Sequence, residues 1–464
     1  MYALIILFVA GVVSLFAGLF TRNHKALQAV ALLGLLGALG SIIYDFSVMA
    51  LSGAGDSWQG TLSFDGYSAS FSVVVLVAAS LIVGLSGYSF RHLKDAVGDH
   101  YGLLLFSLCG ALCMFAFSNL VMLFLGIEIL SIPLYVLAGS QRENLSSNEA
   151  ALKYYLMGAF ATGILLFGIA LVYGSTGTFE INGLARASAH NSLFVMGVLM
   201  MMAGLTFKVG AAPFHFWTPD VYEGAPSIVT SFMATVVKTA AIAAFFRMFT
   251  VFMGSSADWV NILAVISALT MTIGNVTAIY QTSMKRMLAY SSISHAGYML
   301  MTLVAIPAGI MASTPPVFAL LFYTMAYSVA TICIFAGFII VSEQSGGKAS
   351  FDIFNGLAKR KPFLAFTIAL CMLSLAGIPP TAGFFGKYFV FSSVFAAYPW
   401  LVGIAVINSC ISIYYYFKVI LAMYFTPENE SNTELSIPFA YNIVMAIGIL
   451  AVLGMSFLPA LLNK

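Results

Sequence analysis

Residues 101–139 read YGLLLFSLCGALCMFAFSNLVMLFLGIEILSIPLYVLAG, an apolar run that contains one charged residue, Glu128. A helix that crosses a bilayer needs about 20 such residues, so the run is too long for one pass. Ser118-Asn119 is a turn-prone pair inside it, and the spacing predicts two crossings, 101–118 and 119–139, joined there. Outward from this run the pattern repeats. Segments near 3–21, 26–50, 67–89, 149–174, 192–212, 227–251, 258–281, 287–307, 315–341, 363–396, 400–424 and 437–460 each meet the length. The 363–396 stretch is also long, but Pro379-Pro380 interrupts it, which predicts one broken helix and not two crossings. The expected fold is all-α and polytopic, with about 14 transmembrane helices.

Composition leads to the same solvent. Of 464 residues, 61% are hydrophobic and 8% charged, against about 25% charged in a soluble domain. Too little polar surface remains to keep such a chain in water. The net charge of +2 is spread over short loops, and no basic block suggests nucleic acid or a strongly anionic partner. Cys109, Cys113, Cys333, Cys371 and Cys410 all lie in apolar runs. Cys109 and Cys113 share a helix face, but no His or carboxylate joins them as a metal site requires. They read as small buried hydrophobes, and no redox cofactor is expected on this chain. The run from Met1 to Phe20 has its charges, Arg22 and Lys25, after the apolar residues. That is the reverse of a cleavable signal, so it reads as the first spanning helix.

Loop charge tests the count. With the N-terminus outside, the inner ends and loops collect Arg22, Lys25, Arg91, Lys94, Arg142, Lys153, Lys285, Arg286, Lys348, Lys359, Arg360, Lys361 and Lys418. The outer side holds Arg186, Arg247 and Lys464. An even number of helices follows, with both termini outside. The longest loops are too short for a soluble domain, so one membrane domain is expected over 1–464. Within it lie three N-terminal helices in 1–100, a first repeat at 101–251, a second at 258–424 and a last helix at 437–460.

Several ionisable residues remain inside the apolar segments: Glu128, Lys208, Lys238, His295 and Lys387. A charge at the bilayer centre costs about 2.5–3.5 kcal/mol on the insertion scale, so each asks for a reason. Lys153 and Arg247 lie nearer helix ends, where a side chain can snorkel to the headgroups, and for Lys153 that is an equal reading. Glu149 precedes Lys153 by one turn and fits a surface pair. His295 also reads as a hydrogen-bonded interior histidine, and Glu128 with Lys208 as a structural ion pair. Two of the charges accompany proline breaks. In GLTFKVGAAPFHFWTPDVYEGAPS (204–227) Lys208 precedes Pro213, Pro219 and Pro226; in SLAGIPPTAGFFGKYFV, Pro379 and Pro380 precede Lys387. Non-helical backbone at membrane depth is tolerated only where protein or water surrounds it, and transporters place binding sites at such breaks in inverted halves. The order Lys-then-Pro, then Pro-then-Lys, suits two inverted five-helix repeats, each with a broken helix.

Five stretches carry a resemblance: GIEILSIPLYVL (126–137), ALKYYLMGAF (151–160), FKVGAAPFHFWTPDVYEGAPS (207–227), KRMLAYSSISHAGY (285–298) and GIPPTAGFFGKYFVF (377–391). Together they resemble the antiporter-like membrane subunits of respiratory complex I, the proton-pumping NADH:quinone oxidoreductase. Within that family the likeness is to the subunit N branch, related to mitochondrial subunit 2. The largest of the three similar subunits carries a C-terminal extension with a lateral helix, and the middle one has a glutamate where Lys387 stands.

The resemblance implies roles. Glu128 and Lys208 would form a paired switch at a half-channel entrance, with Lys153 associated with it. Lys238 and His295 would form a central relay, and Lys387 the terminal group that exchanges its proton toward the outside. It implies no flavin, iron–sulfur cluster or quinone on this chain, those belonging to other subunits. It implies partners among the other membrane-arm subunits within the lipid bilayer, no nucleic acid, and a place in a bacterial inner membrane. A cation/proton antiporter subunit without electron transfer, or a membrane-arm spacer, are the rival readings. Company with flavin- and iron–sulfur-bearing chains separates the first rival, and the effect of Lys387→Ala on pumping the second.

Overall fold

The computed structural model describes residues 2–52, 56–58, 60–92, 96–186, 191–252, 258–308, 314–427 and 435–457. Lys94 and Lys464, counted above in the loop charge, lie outside these residues, as does the side chain of Arg186. The chain divides into two compact units, Met1–Asn261 and Ile262–Lys464.

The first unit contains α1 (Tyr2–Phe20), α2 (His24–Ser52), α3 (Gly66–Ser89), α4 (Val97–Ala116), α5 (Leu120–Ala138), α6 (Leu145–Thr176), the short α7 (Ile181–Arg186), α8 (Ser192–Val209), α9 (Trp217–Gly224) and α10 (Ser227–Phe232). A π-helical turn, Met233–Val237, carries α10 into α11 (Lys238–Phe252). Next, α12 (Asp258–Ile279) leads into the second unit, with α13 (Met284–Val304), α14 (Pro316–Gln344), the short α15 (Leu357–Arg360), α16 (Pro362–Ala376), α17 (Ala382–Val394), α18 (Pro399–Phe425) and α19 (Phe439–Gly454).

Every predicted span has its helix, and the broken one is α16–α17. Among the described residues, eleven helices are long and apolar enough to cross a membrane. Of the other predicted spans, α19 has 16 residues and α16–α17 is interrupted. The third, α13, is diluted by Lys285, Arg286, three serines and His295. It can afford them because it is an interior helix whose residues are buried along nearly its whole length. The apolar outward residues of α1 and α2, Phe8, Phe16, Leu33, Leu36 and Ile43 among them, form a surface suited to lipid and not to water.

The predicted split at Ser118-Asn119 is a built turn. Helix α4 ends at Ala116, and Asn119 caps α5 by accepting from the Val121 amide at 2.8 Å. On one side, the hairpin of β1 (Asp56–Trp58) and β2 (Leu62–Phe64) holds Ser118 through the Thr61 carbonyl at 3.0 Å. On the other, the Phe179 carbonyl accepts from Leu120 at 3.0 Å. Small residues bring α6 against α8: a Cβ on Gly168 would stand 2.7 Å from the Gly197 carbonyl oxygen, and one on Gly197 2.8 Å from that of Gly168. Such backbone proximity drives helix packing where lipid removes the hydrophobic drive, and it places the end of α8 beside α6. The helix from Ser227 to Phe252 is buried over an 18-residue stretch, and Lys238 within it is 3% exposed.

Candidate functional site

In the first unit, the site is the end of α8. The helix stops because Gly210, with φ +76°, takes the left-handed conformation that side chains disfavour. Its amide bonds the Phe207 carbonyl and the Ala211 amide the Thr206 carbonyl, both at 2.9 Å, the paired closure of a Schellman motif. A cis Ala212-Pro213 bond follows, and α9 starts at Trp217. The Trp217 indole N–H donates to the Phe207 carbonyl at 3.0 Å. Two of the carbonyls freed by the break, those of Thr206 and Phe207, are thus satisfied within protein, as membrane depth requires.

Lys208 is in the last turn of α8 and 5% exposed. The carbonyl end of a helix is its negative end and favours a cation. Its Nζ donates to Ser131 Oγ on α5 at 2.6 Å and lies 3.5 Å from Tyr154 OH on α6. Ser131 in turn donates to the Ile127 carbonyl. Glu128 is half-buried one turn before Ser131 on α5. Among the described residues no carboxylate comes within 4.0 Å of Lys208 Nζ. The structure therefore puts a serine hydroxyl, not Glu128, in contact with the lysine, with Glu128 one turn away from that serine on α5.

Lys153 sits between two carboxylates, Glu149 at 2.7 Å and Asp220 of α9 at 2.6 Å. Lys238 opens α11 directly after the π-helical turn and is 3% exposed. Single π turns inside helices recur at functional sites. Arg247 corrects the snorkelling expectation. Its side chain is 14% exposed. It donates to both Asp65 oxygens at 3.0 and 3.2 Å and to the Phe117 carbonyl at 3.0 Å. Asp65 also caps α3 in a capping box with Ser68, so Arg247 is an internal anchor. Lys285, read above as a loop residue, is 7% exposed in the first turn of α13.

The second unit repeats the break with the same local chemistry. Helix α16 ends at Gly377, φ +83°, whose amide bonds the Ser374 carbonyl while the Ile378 amide bonds that of Leu373, both at 3.0 Å. A cis Pro379-Pro380 bond follows before α17. Lys387, in α17 and 5% exposed, reaches back to donate to the Ala376 carbonyl at 2.8 Å. Its Nζ stands 4.9 Å over the Tyr298 ring, a cation–π distance. His295 is held on both edges: Nδ1 is 2.6 Å from Tyr323 OH and Nε2 3.0 Å from Tyr416 OH. A hydroxyl can donate or accept, so either imidazole tautomer is served. Tyr416 OH continues to Ser291 Oγ at 2.5 Å. His295, Tyr327, Ser374 and Lys387 share the lining of one cavity of about 10 Å³, the scale of a single water.

The sequence singles out Glu128, Lys208, Lys238, His295, Lys387 and Lys153, and of their partners only Glu149, which pairs with Lys153 as expected. Ser131 had a signal, lying one turn from Glu128 on the same helix face. Asp220 had one too, as an acid inside the broken segment. Tyr154, Tyr323 and Tyr416 had none, because aromatic residues are common in apolar helices. Among the described residues, no three His, Cys, Asp or Glu side chains group as a metal requires.

The profile of the family described as NADH:quinone oxidoreductase/Mrp antiporter, transmembrane, matches residues 117–412. A curated protein of Cytophaga hutchinsonii named NADH-quinone oxidoreductase subunit N is 42% identical over 98% of this chain and 97% of its own. A chain of respiratory complex I from Thermus thermophilus, solved with bound aureothin, superposes with TM-score 0.84 at 35% identity, covering 99% of this chain and 98% of that one. A chain of the Mrp complex from Dietzia superposes with TM-score 0.86 at 20% identity, over 99% and 93% of the two chains. That last likeness concerns the fold alone.

Proposed function

The chain belongs to the NADH:quinone oxidoreductase/Mrp antiporter membrane family, and from that premise we propose that it serves as the antiporter-like, proton-translocating subunit N of a bacterial NADH–quinone oxidoreductase. Protons move through Glu128, Lys208, Lys238, His295 and Lys387, with Lys153 associated with the first pair, while NADH oxidation and quinone reduction proceed in other subunits. Flavin and iron–sulfur chemistry belong to those subunits, and the partners of this chain are the neighbouring membrane-arm subunits. Both termini face the outer side of the inner membrane, as the loop charges favour.

One observation carries the reading. Each unit contains one broken helix, and the carbonyl end of its first half holds a buried lysine, Lys208 in one and Lys387 in the other. Buried lysines are costly, and a carbonyl end with a hydroxyl or aromatic neighbour holds the ammonium without fixing a carboxylate to it. A lysine so placed can lose its proton when a nearby anion withdraws and regain it when the anion returns. In a medium of effective dielectric about 20, closing a unit charge pair from about 8 Å to about 4 Å strengthens it by roughly 2 kcal/mol. That is comparable with the cost of moving a proton through about 100 mV, about 2.3 kcal/mol. A modest approach of Glu128 toward Lys208 is therefore sufficient to gate one transfer.

The Mrp-type reading shares the fold, but its likeness stops at 20% identity, whereas the subunit N relative holds 42% over nearly the whole chain. The deciding experiment measures protons translocated per electron by the assembled complex in inverted membrane vesicles. Lys208→Ala and Lys387→Ala are each expected to lower that ratio. Wild-type ratios in both would sink the relay.

A further inference from the structure

Three places along α9 meet α6. Trp217 stacks on Tyr154 with ring centroids 4.8 Å apart and planes 10° apart. One turn on, Asp220 Oδ2 accepts from Lys153 Nζ at 2.6 Å. At the end of α9, a Cβ on Gly224 would stand 2.2 Å from the Ser146 carbonyl oxygen and 2.8 Å from the Ala150 Cβ. Residues 217, 220 and 224 share one helix face, so α9 is zipped along α6, and Asp220–Lys153 is a charged contact of the seam.

The seam ends at Lys208. Tyr154 follows Lys153 in the chain, and its OH lies 3.5 Å from Lys208 Nζ. Trp217 holds the carbonyl of Phe207, the residue before Lys208. Helix α9 has only eight residues, too few to be stable alone, so its place is set by what it packs on. Glu149, the other carboxylate on Lys153, lies one turn away on α6 itself and cannot tie α6 to α9. Asp220 can.

We propose that Asp220 is a positioning residue for proton transfer at Lys208: by drawing Lys153 it seats α9 on α6, and the seated Trp217 and Tyr154 fix the direction of the Lys208 ammonium toward Ser131. The inference rests on the reading of Lys208 as a proton carrier. Lys153 and Asp220 are 39% and 34% exposed, and pairs that exposed add little to stability. Removing the charge is therefore expected to spare assembly.

The test uses the assembled complex in inverted vesicles and reads three quantities: amount of complex, NADH:quinone turnover, and protons per electron. D220N is expected to keep the amount of complex and lower the ratio by as much as Lys208→Ala does, since a displacement of about 1 Å at a reacting group can cost about 100-fold in rate. The charge exchange K153D/D220K is expected to return the ratio above that of either single variant, as coupling between residues in contact requires. A merely structural role would lower the amount of complex and leave the ratio unmoved. A wild-type ratio in D220N, or an exchange no better than the worse single variant, overturns the proposal. Should D220N fail to assemble, K153M breaks the same bond from the other side, and a wild-type ratio there overturns it equally. Lys208→Ala run alongside separates the two readings. If it keeps the ratio, the carrier reading fails; if it loses the ratio and D220N does not, only the positioning role falls.

Discussion

Lys387 Nζ donates to the Ala376 carbonyl at 2.8 Å, and the stem of the same lysine lies across Gly377, where a Cβ would come within 2.8 Å of Lys387 Cδ. The glycine that ends α16 is thus also the bed of the lysine. Gly377→Ala would meet both a left-handed backbone, at about 1–2 kcal/mol, and the displaced lysine. It is expected to lower protons per electron as Lys387→Ala does, although it removes no titratable group. Gly346 is the control, because it has φ +73° with nothing within 4 Å of a Cβ; Gly346→Ala should cost stability only. Equal ratios in the two alanine variants would show that backbone strain, not the lysine, was disturbed.

Ser131 is the direct acceptor of Lys208. Hydrogen bonds to charged groups contribute about 1.5–3 kcal/mol, and about 1.4 kcal/mol is a factor of ten in rate. Ser131→Ala should therefore slow translocation by at least about tenfold, and Ser131→Thr, which keeps a hydroxyl, should retain most of it. Unchanged pumping by the alanine variant would remove Ser131 from the site.

His295 is served by two tyrosines, and the two should substitute for one another. Tyr323→Phe or Tyr416→Phe leaves one hydroxyl, and the imidazole can choose its tautomer to suit. The double variant leaves both ring nitrogens buried without these partners, at about 1–3 kcal/mol for each lost bond. A double-mutant cycle on pumping rate and thermal stability of the complex should show the double exceeding the sum of the singles. Simple additivity would contradict the paired support.

Asp65–Arg247 predicts the opposite pattern. Asp65 caps α3 and anchors Arg247, and loss of a cap costs about 0.5–2 kcal/mol. Asp65→Ala should lower the thermal stability and amount of the assembled complex while leaving protons per electron intact. A reduced ratio at full assembly would place this pair in the proton route instead.

Hydropathy was enough to read the spans, because a membrane helix carries its own solvent requirement in its residues. Ser118-Asn119 was legible as a turn for the same kind of reason: Asn119 is a cap by chemistry, independent of the rest of the fold. Glu128, Lys208, Lys238, His295 and Lys387 stood out because lipid makes a charge conspicuous. Their partners did not stand out. Ser131 and Tyr154 meet Lys208 only after three helices pack, and Tyr323 and Tyr416 reach His295 from positions 28 and 121 residues away in the chain. Arg247 reads as an edge residue in the sequence because its neighbour Asp65, 182 residues distant, is invisible to any local pattern.

The π-helical turn Met233–Val237 means that the buried rod from Ser227 to Phe252 carries one residue more than an unbroken α-helix of the same rise. Each residue advances a helix by about 100°, so this surplus residue sets the compass bearing of everything after it, Lys238 first. Wound instead as regular α-helix, the same residues would carry Lys238 about 100° round the rod with the composition of its surroundings untouched. The side chain would keep its charge and its depth and lose only its heading.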